Sequence, residues 1–336
     1  MRIGLISPPW MAVPPPAYGG TELVVDLLAR GLQEAGHEVL LAAAADSTSP
    51  VPLVPGAPTS DPEATNDATS LMGHVVRAYS ALGGVDLIHD HTVAGPLYRH
   101  RPDGVPVVVT HHNAFTPEAI AVFRSAARDT AVVAISHDHA RRADGVPIAR
   151  VIHHGLDPGT VPFSPTRGAY AVFLGRMDPT KGVVEALRIA RAAGVPLRIA
   201  AKMRTQAEVG YFDSEVRPLL TRDHEYIGEV TDEEKYALLG GSFALLNPIQ
   251  WDEPFGLAMI EALATGTPVV GTPRGSAPEI VDDGVTGFLA ETAELSALLP
   301  RAAELEPAAC RQVVETRFSA HRMVADHIAL YLDLLH

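Results

Sequence analysis

Apolar strand-like runs and helical stretches alternate along this chain in two successive series. That alternation restricts it to an α/β fold with parallel sheets. The first series opens with RIGLI at 2–6, then a Pro-rich loop. A helix follows in which Leu23, Val24, Leu27, Leu28 and Leu32 recur at helical spacing up to Gly36. Val39 to Ala44 reads as the next strand and completes a βαβ unit. Residues 45–69, rich in Pro, Ser, Thr and Asp, read as a loop. The spacing then predicts a helix over 70–82, strands at 86–88 and 105–110, and a helix over 117–128. A strand at 131–135, a helix over 138–143 and a strand at 151–152 complete the series. Composition shifts to Pro, Thr and Ser over 158–166, which reads as a linker. The second series runs from a strand at Tyr170 through helices at 183–193, near 211–219 and at 232–239. Its further strands fall at 197–201, 225–227, 243–247 and 268–270, and Ala277 to Val281 follows. An amphipathic helix over 321–335 closes the chain. The expected architecture is two doubly wound α/β domains in tandem with a cleft between them.

With 336 residues the chain is too long for one comfortable core. No run of 18 apolar residues suggests a membrane span, and the first residues read as a strand rather than a signal peptide. One cysteine, Cys310, excludes a disulfide framework within the chain and fits a reducing cytoplasm. A formal charge of −14 argues against a nucleic-acid partner. No GxGxxG follows the first strand and no GxxxxGK[ST] occurs, which disfavours nicotinamide-dinucleotide binding and P-loop chemistry.

The segment WDEPFGLAMIEALATGTPVV, 251–270, carries the most chemistry. Glu253 stands in a Pro-Gly turn and Glu261 inside the helix that the turn opens. Backbone N–H groups near Phe255, Gly256 and Leu257 suit a phosphate, with the two carboxylates reaching hydroxyls on either side. Paired carboxylates also admit a hydrolase, but a phosphate-suited turn between them disfavours it. Gly19 and Gly20 follow the first strand, where a backbone can approach an anion closely. Arg176 and Lys181 flank a strand–helix junction and suit a diphosphate. Nine of the fifteen histidines lie between His89 and His154. Their spacings match no ordinary zinc pattern, so no metal site is assigned. Most read as polar residues lining a cleft or capping strands. His112, directly after VPVVVTH, is singled out as functional.

These pieces together resemble the retaining glycosyltransferases of family 4. The matching stretches are YGGTE (18–22), VVVTHHN (107–113), VIHHGLD (151–157), FLGRMDPTKGV (173–183), YIGEVTDEEK (226–235), EPFGLAMIEALATGTPVV (253–270) and PEIVDDGVTGFL (278–289). The resemblance implies the GT-B fold, two Rossmann-like domains with the active site between them. The domains would span 1–160 and 161–316, with a helix over 317–336 crossing back onto the first. It implies that Gly19 and Gly20 approach the donor diphosphate, while Arg176 and Lys181 neutralise the departing nucleoside diphosphate. Glu253 would bind hydroxyls of the donor sugar, and Phe255, Gly256 and Leu257 would surround sugar and phosphate. Glu261 would bind the ribose, Val230 would lie near the base, and His112 beside the sugar. Two departures stand out: His153-His154 where Asn-Gly is frequent, and Lys202-Met203 where Gly is frequent. A one-residue slip would exchange His111 and His112.

The expected activity is transfer of a hexose from a nucleotide-sugar, a UDP-sugar ahead of a GDP-sugar, with retention and without a metal or other cofactor. The expected acceptor is a soluble small molecule or saccharide, because the first helix (Glu22, Asp26, Arg30, Glu34) lacks a basic face. The expected location is cytoplasmic. A GT-B sugar-nucleotide epimerase and a non-catalytic nucleotide-sugar-binding protein are the alternatives.

Overall fold

Strands that are apolar on both faces must be covered on both faces, and parallel sheets supply that. The computed structural model describes residues 1–16, 19–65 and 67–336. They divide into two units, Met1–Gly155 with Ala320–His336, and Leu156–Ser319.

Among the described residues, the first unit holds a seven-stranded sheet in the order β3-β2-β1-β4-β5-β6-β7. The strands are β1 (Arg2–Ile6), β2 (Glu38–Ala42), β3 (Leu53–Val54), β4 (Leu87–Asp90), β5 (Val107–Thr110), β6 (Ala131–Ala134) and β7 (Ile148–Val151). All its pairings are parallel. Its helices are α1 (Gly20–Glu34), α2 (Ala68–Ala81), α3 (Pro117–Ala126) and α4 (His137–Arg142). Strand order reverses between β1 and β4, the switch point outside which open α/β sheets bind ligands.

The second unit repeats the plan with six strands, also all parallel, in the order β10-β9-β8-β11-β12-β13. These are β8 (Ala171–Arg176), β9 (Leu197–Lys202), β10 (His224–Gly228), β11 (Ala244–Asn247), β12 (Val269–Gly271) and β13 (Gly287–Leu289). Its helices are α5 (Val183–Ala193), α6 (Gln206–Tyr211), α7 (Asp232–Gly240), α8 (Leu257–Thr265), α9 (Ala277–Ile280), α10 (Leu295–Leu298) and α11 (Pro307–Arg317). Its switch point lies between β8 and β11. The last helix, α12 (Ala320–Leu335), packs on α1 in the first unit. A Cβ at Gly31 of α1 would lie 2.5 Å from Val324 Cγ2, so the small residue permits that close approach.

Several sequence expectations are corrected. The presumed loop over 45–69 contains β3 and a one-turn helix at Pro62–Ala64. The helix expected near 211–219 begins earlier, at Gln206, because Thr205 and Glu208 form a capping box. It then widens into a π turn over Phe212–Val216 and ends as a 3₁₀ turn at Arg217–Leu219. Three elements expected from no pattern, β13, α10 and α11, follow residue 281. On α1, Glu22 and Asp26 are buried, and Arg30 bonds Asp26 at 2.9 Å. The exposed polar residues of that helix are Gln33 and Glu34, so its outer face still carries no basic cluster. Among the described residues, no helix is long and apolar enough to cross a membrane.

Candidate active site

The switch point of the second unit gathers most of the singled-out residues. Arg176 ends β8, and the chain then makes a tight turn at Pro179–Lys181. Asp178 caps that turn by accepting the Thr180 N–H at 2.9 Å. Gly182 follows in the left-handed region (φ 78°) and opens α5. A Cβ there would lie 2.0 Å from the Pro248 carbonyl oxygen, so only glycine lets the loop after β8 press onto the loop after β11. The Gln250 N–H donates to the Thr180 carbonyl at 2.7 Å and fastens the two loops. This brings Lys181 Nζ to 2.5 Å from Glu253 Oε1, with both side chains mostly buried. The same ammonium lies 5.3 Å from the centroid of the Trp251 ring.

Gly256, also left-handed (φ 98°), is the N-cap of α8, and no side chain caps that helix. Its first N–H groups therefore have no side-chain acceptor beside the Glu253 turn. Phe255 is buried against Phe318, at 6.0 Å between ring centroids, so the turn is anchored in the core. The Ser276 N–H donates to the Glu253 carbonyl at 3.0 Å, and Ser276 Oγ donates to the Phe255 carbonyl. Gly275 lies flat on Glu253, since a Cβ would come within 2.4 Å of its backbone N.

One turn into α8, Glu261 is 4% exposed. Lys235 of α7 donates to its Oε1 at 2.7 Å and to Asp232 at 2.8 Å. Burial alone would lower the Lys235 amine, but the Glu261 carboxylate and its neighbours outweigh that and hold it above the usual lysine range. At the ends of β8 and β9, Arg176 pairs in register with Lys202. Burial, then the neighbouring Arg204, pushes the Lys202 amine down to about 8. Arg204 meets Glu229 at 3.1 Å, just before the half-buried Val230. Arg176 itself is exposed, 3.4 Å from Asp178 and 4.0 Å from Glu208.

The remaining residues belong to the first unit. Tyr18 of the YGG stretch lies outside the described residues. Gly19 is the extended N-cap of α1 and Gly20 its first residue, both half-buried, with no side-chain cap. Past the end of β5, His111 turns into the core against Phe115 and Phe123, at 4.8 and 4.4 Å between centroids. His112 points the other way and is half-buried. Its Nε2 lies 2.9 Å from His91 Nδ1 and its Nδ1 lies 3.3 Å from His154 Nε2.

Comparison with known proteins accounts for both units. The family profile described as Glycosyltransferase Family 4 matches residues 18–160, and the one described as Glycosyl transferases group 1 matches residues 161–307. The chain belongs to the family 4 glycosyltransferases. It is similar to the phosphatidyl-myo-inositol mannosyltransferase of Mycolicibacterium smegmatis, with 27% identity over 86% of this chain and 80% of the relative. Among solved structures it resembles AviGT4, a glycosyltransferase involved in avilamycin A biosynthesis. That likeness has a TM-score of 0.78 and 26% identity, over 100% of this chain and 98% of AviGT4. Anabaena Alr3699/HepE, solved in complex with UDP and glucose, shares the fold at a TM-score of 0.76 and 20% identity over 99% of each chain. The expected GT-B fold and glycosyltransferase activity are thus both met.

Sequence reasoning passed over several residues of this glycosyltransferase that hold the singled-out ones in place. Trp251 opens the stretch first singled out, yet its place beside Lys181 depends on how two loops meet. Lys235 closes the YIGEVTDEEK stretch, which was the available signal for it. Gly275 and Ser276 had no signal in spacing alone. Gly182→Ala tests the loop packing. It is expected to lower unfolding free energy by about 2–3 kcal/mol, from backbone strain plus a clash that no side chain can relieve. Gly194→Ala at the other end of α5 is the control: it shares a positive φ (67°) but opens on empty space. Denaturant unfolding of both variants measures the difference, and equal losses would remove the close approach from the account.

Proposed function

We propose that this glycosyltransferase moves a hexose from a nucleotide-sugar to a hydroxyl of a soluble small-molecule or saccharide acceptor, with retention of configuration and without a metal ion. The observation that carries the reading is the Lys181–Glu253 contact beside the uncapped start of α8. It sets a cation and a carboxylate beside a helix start that carries no side-chain cap, which suits a sugar joined to a diphosphate.

In this reading Lys181 and Arg176 take up charge on the departing diphosphate. Glu253 accepts hydrogen bonds from sugar hydroxyls, and the N–H groups of Phe255, Gly256 and Leu257 line sugar and phosphate. Glu261 accepts from the ribose, with Lys235 fixing one of its two oxygens so that the other faces the ligand. Val230 borders the base, Gly19 and Gly20 approach the diphosphate, and His112 stands beside the sugar. Fixed cations and dipoles of this kind need no reorganisation as charge develops on the leaving group, so they do the work a metal ion would otherwise do. Retention follows from attack by the acceptor on the face that the diphosphate leaves. A UDP-sugar is the preferred donor, supported by the UDP and glucose held by the HepE relative of the same fold. The soluble acceptor is supported by the lack of a basic cluster on the outer face of α1.

A screen of UDP-, GDP-, ADP- and TDP-sugars, by calorimetry and product analysis, tests this. Slow release of free sugar and nucleoside diphosphate from one donor is the expected result. Conversion of a donor into its epimeric sugar nucleotide would sink the proposal.

A further inference from the structure

Histidines on β4 and just after β4, β5 and β7 form a connected network with α12. His89 Nδ1 lies 2.7 Å from the Tyr331 hydroxyl and its Nε2 lies 2.8 Å from Thr110 Oγ1. The His89 ring lies tilted against His91 at 4.1 Å between centroids and approaches His327 at 5.2 Å. From His91 the network continues to His112 and on to His154, whose rings lie 5.1 Å apart and nearly parallel. Arg322 of α12 donates to the carbonyls of His153 and His154 at 2.8 and 3.0 Å.

These imidazoles are neutral. Burial first, and then the neighbouring rings, pushes His112 down to about 3. His89, His91 and His154 are held well below the usual histidine range for the same reasons, and His327 falls to about 4. The groups facing His112 are His91, His154, His111, His139 and His327, with Arg322 beyond His154. None of them offers a proton a negative partner.

A neutral imidazole carries one N–H, so the two contacts of His112 must run in the same direction. If His112 Nε2 donated to His91 Nδ1, the proton of His91 would stand on its Nε2. That nitrogen is buried and has no partner. A buried orphan N–H is among the rarest features of folded proteins, and a bare acceptor lone pair is tolerated more often. The same pocket already holds one. His327 Nδ1 must donate to the Met323 carbonyl at 2.8 Å, which leaves its own buried Nε2 a bare lone pair. The protons therefore run from His91 Nδ1–H to His112 Nε2, and from His112 Nδ1–H to His154 Nε2.

We propose that His91 and His154 are positioning residues that hold His112 as its Nδ1–H tautomer with both ring nitrogens engaged. His112 then presents a fixed, uncharged ring to the sugar and takes no part in proton transfer. The inference rests on the placement of His112 beside the sugar proposed above, but the tautomer does not.

The first test is long-range nitrogen–proton NMR of the full-length protein labelled with 15N-histidine. Signals are assigned by their loss in His91→Asn, His112→Asn and His154→Gln. Nδ1–H patterns for His91, His112 and His154 at pH 7.5 are expected, and an Nε2–H pattern for His112 overturns the proposal. The second test is kinetic. His91→Ala and His154→Ala are expected to lower kcat about tenfold with little change in donor KM, the scale of a small misplacement of a contact group. His91→Asn, whose amide nitrogen stands where Nδ1 stood, restores most of the loss. Wild-type kcat in both alanine variants overturns the positioning role. If no donor is turned over by any of these proteins, the transferase mechanism proposed above fails, while the NMR pattern still decides the tautomer.

Discussion

Replacing Lys181 with alanine is expected to lower turnover by about a hundredfold or more, and Glu253→Ala by a similar factor. The magnitude is that of losing one fixed group aimed at charge that develops in the transition state. In the proposed reading the charge opposite Lys181 is on the leaving diphosphate, and the ammonium is held between Glu253 and the Trp251 ring. For Glu253 the proposed loss is double: in that reading sugar hydroxyls lose an acceptor, and a mostly buried ammonium loses its counter-charge. Because the two side chains touch, their effects will not add. The double variant should fall well short of the ten-thousandfold product of two independent losses. Turnover at saturating donor, with folding checked by circular dichroism, measures all three proteins. Near wild-type rates in both single variants would remove these residues from the site.

The second large effect is expected on stability rather than rate. Nine histidines of the first unit have ring pKa values lowered by burial: His37, His74, His89, His91, His111, His112, His139, His154 and His327. A group whose folded pKa lies below its unfolded value of about 6.5 binds more protons when unfolded. Its contribution is therefore complete above pH 6.5 and is lost as pH falls toward the folded value. Each histidine that stays neutral costs about 1.4 kcal/mol of stability per pH unit in that window. Three of them acting between pH 6.5 and 5 remove about 6 kcal/mol, comparable with the whole stability of a domain. Residues 156–319 contain a single histidine, His224, so the second unit holds no cluster of this kind. The first unit should unfold in mild acid while the second persists. The chain has two tryptophans, Trp10 in the first unit and Trp251 in the second, so Trp251→Phe and Trp10→Phe give separate fluorescence reporters. A Trp10 signal unchanged down to pH 4 would contradict the argument.

Much of the fold was legible because parallel strands buried on both faces are written as short runs of Ile, Leu and Val. RIGLI and VVVT are such runs, and both became strands. β3 escaped notice because it is two residues long and its Leu53 is exposed. β13 is three residues long and pairs through Gly287, which no periodicity marks. The capping box at Thr205 and Glu208 is a local pattern and could have been read. The turn that opens α8 was legible because glycine, a helix start and carboxylates stand together in sequence. What was not legible is long-range. Glu261 meets Lys235 across the packing of α7 on α8, and His89 meets Tyr331 only because α12 returns to the first sheet. Whether a carboxylate such as Glu22 or Glu261 faces water or the core is decided by those packings, not by its place on a helix.

The 2.5 Å pair between Lys181 and Glu253 bears on which molecules the proposed site would hold. Each group is the other's counter-ion, so neither is an open port. An anion alone, such as inorganic phosphate, could engage the ammonium only by stranding the carboxylate. A free sugar could engage the carboxylate only by stranding the ammonium. A molecule carrying hydroxyls and a diphosphate on adjoining parts offers both groups a new partner in the same event. Under the proposed function the site would act as a coincidence detector, weak toward either half of its ligand and receptive to the two halves joined.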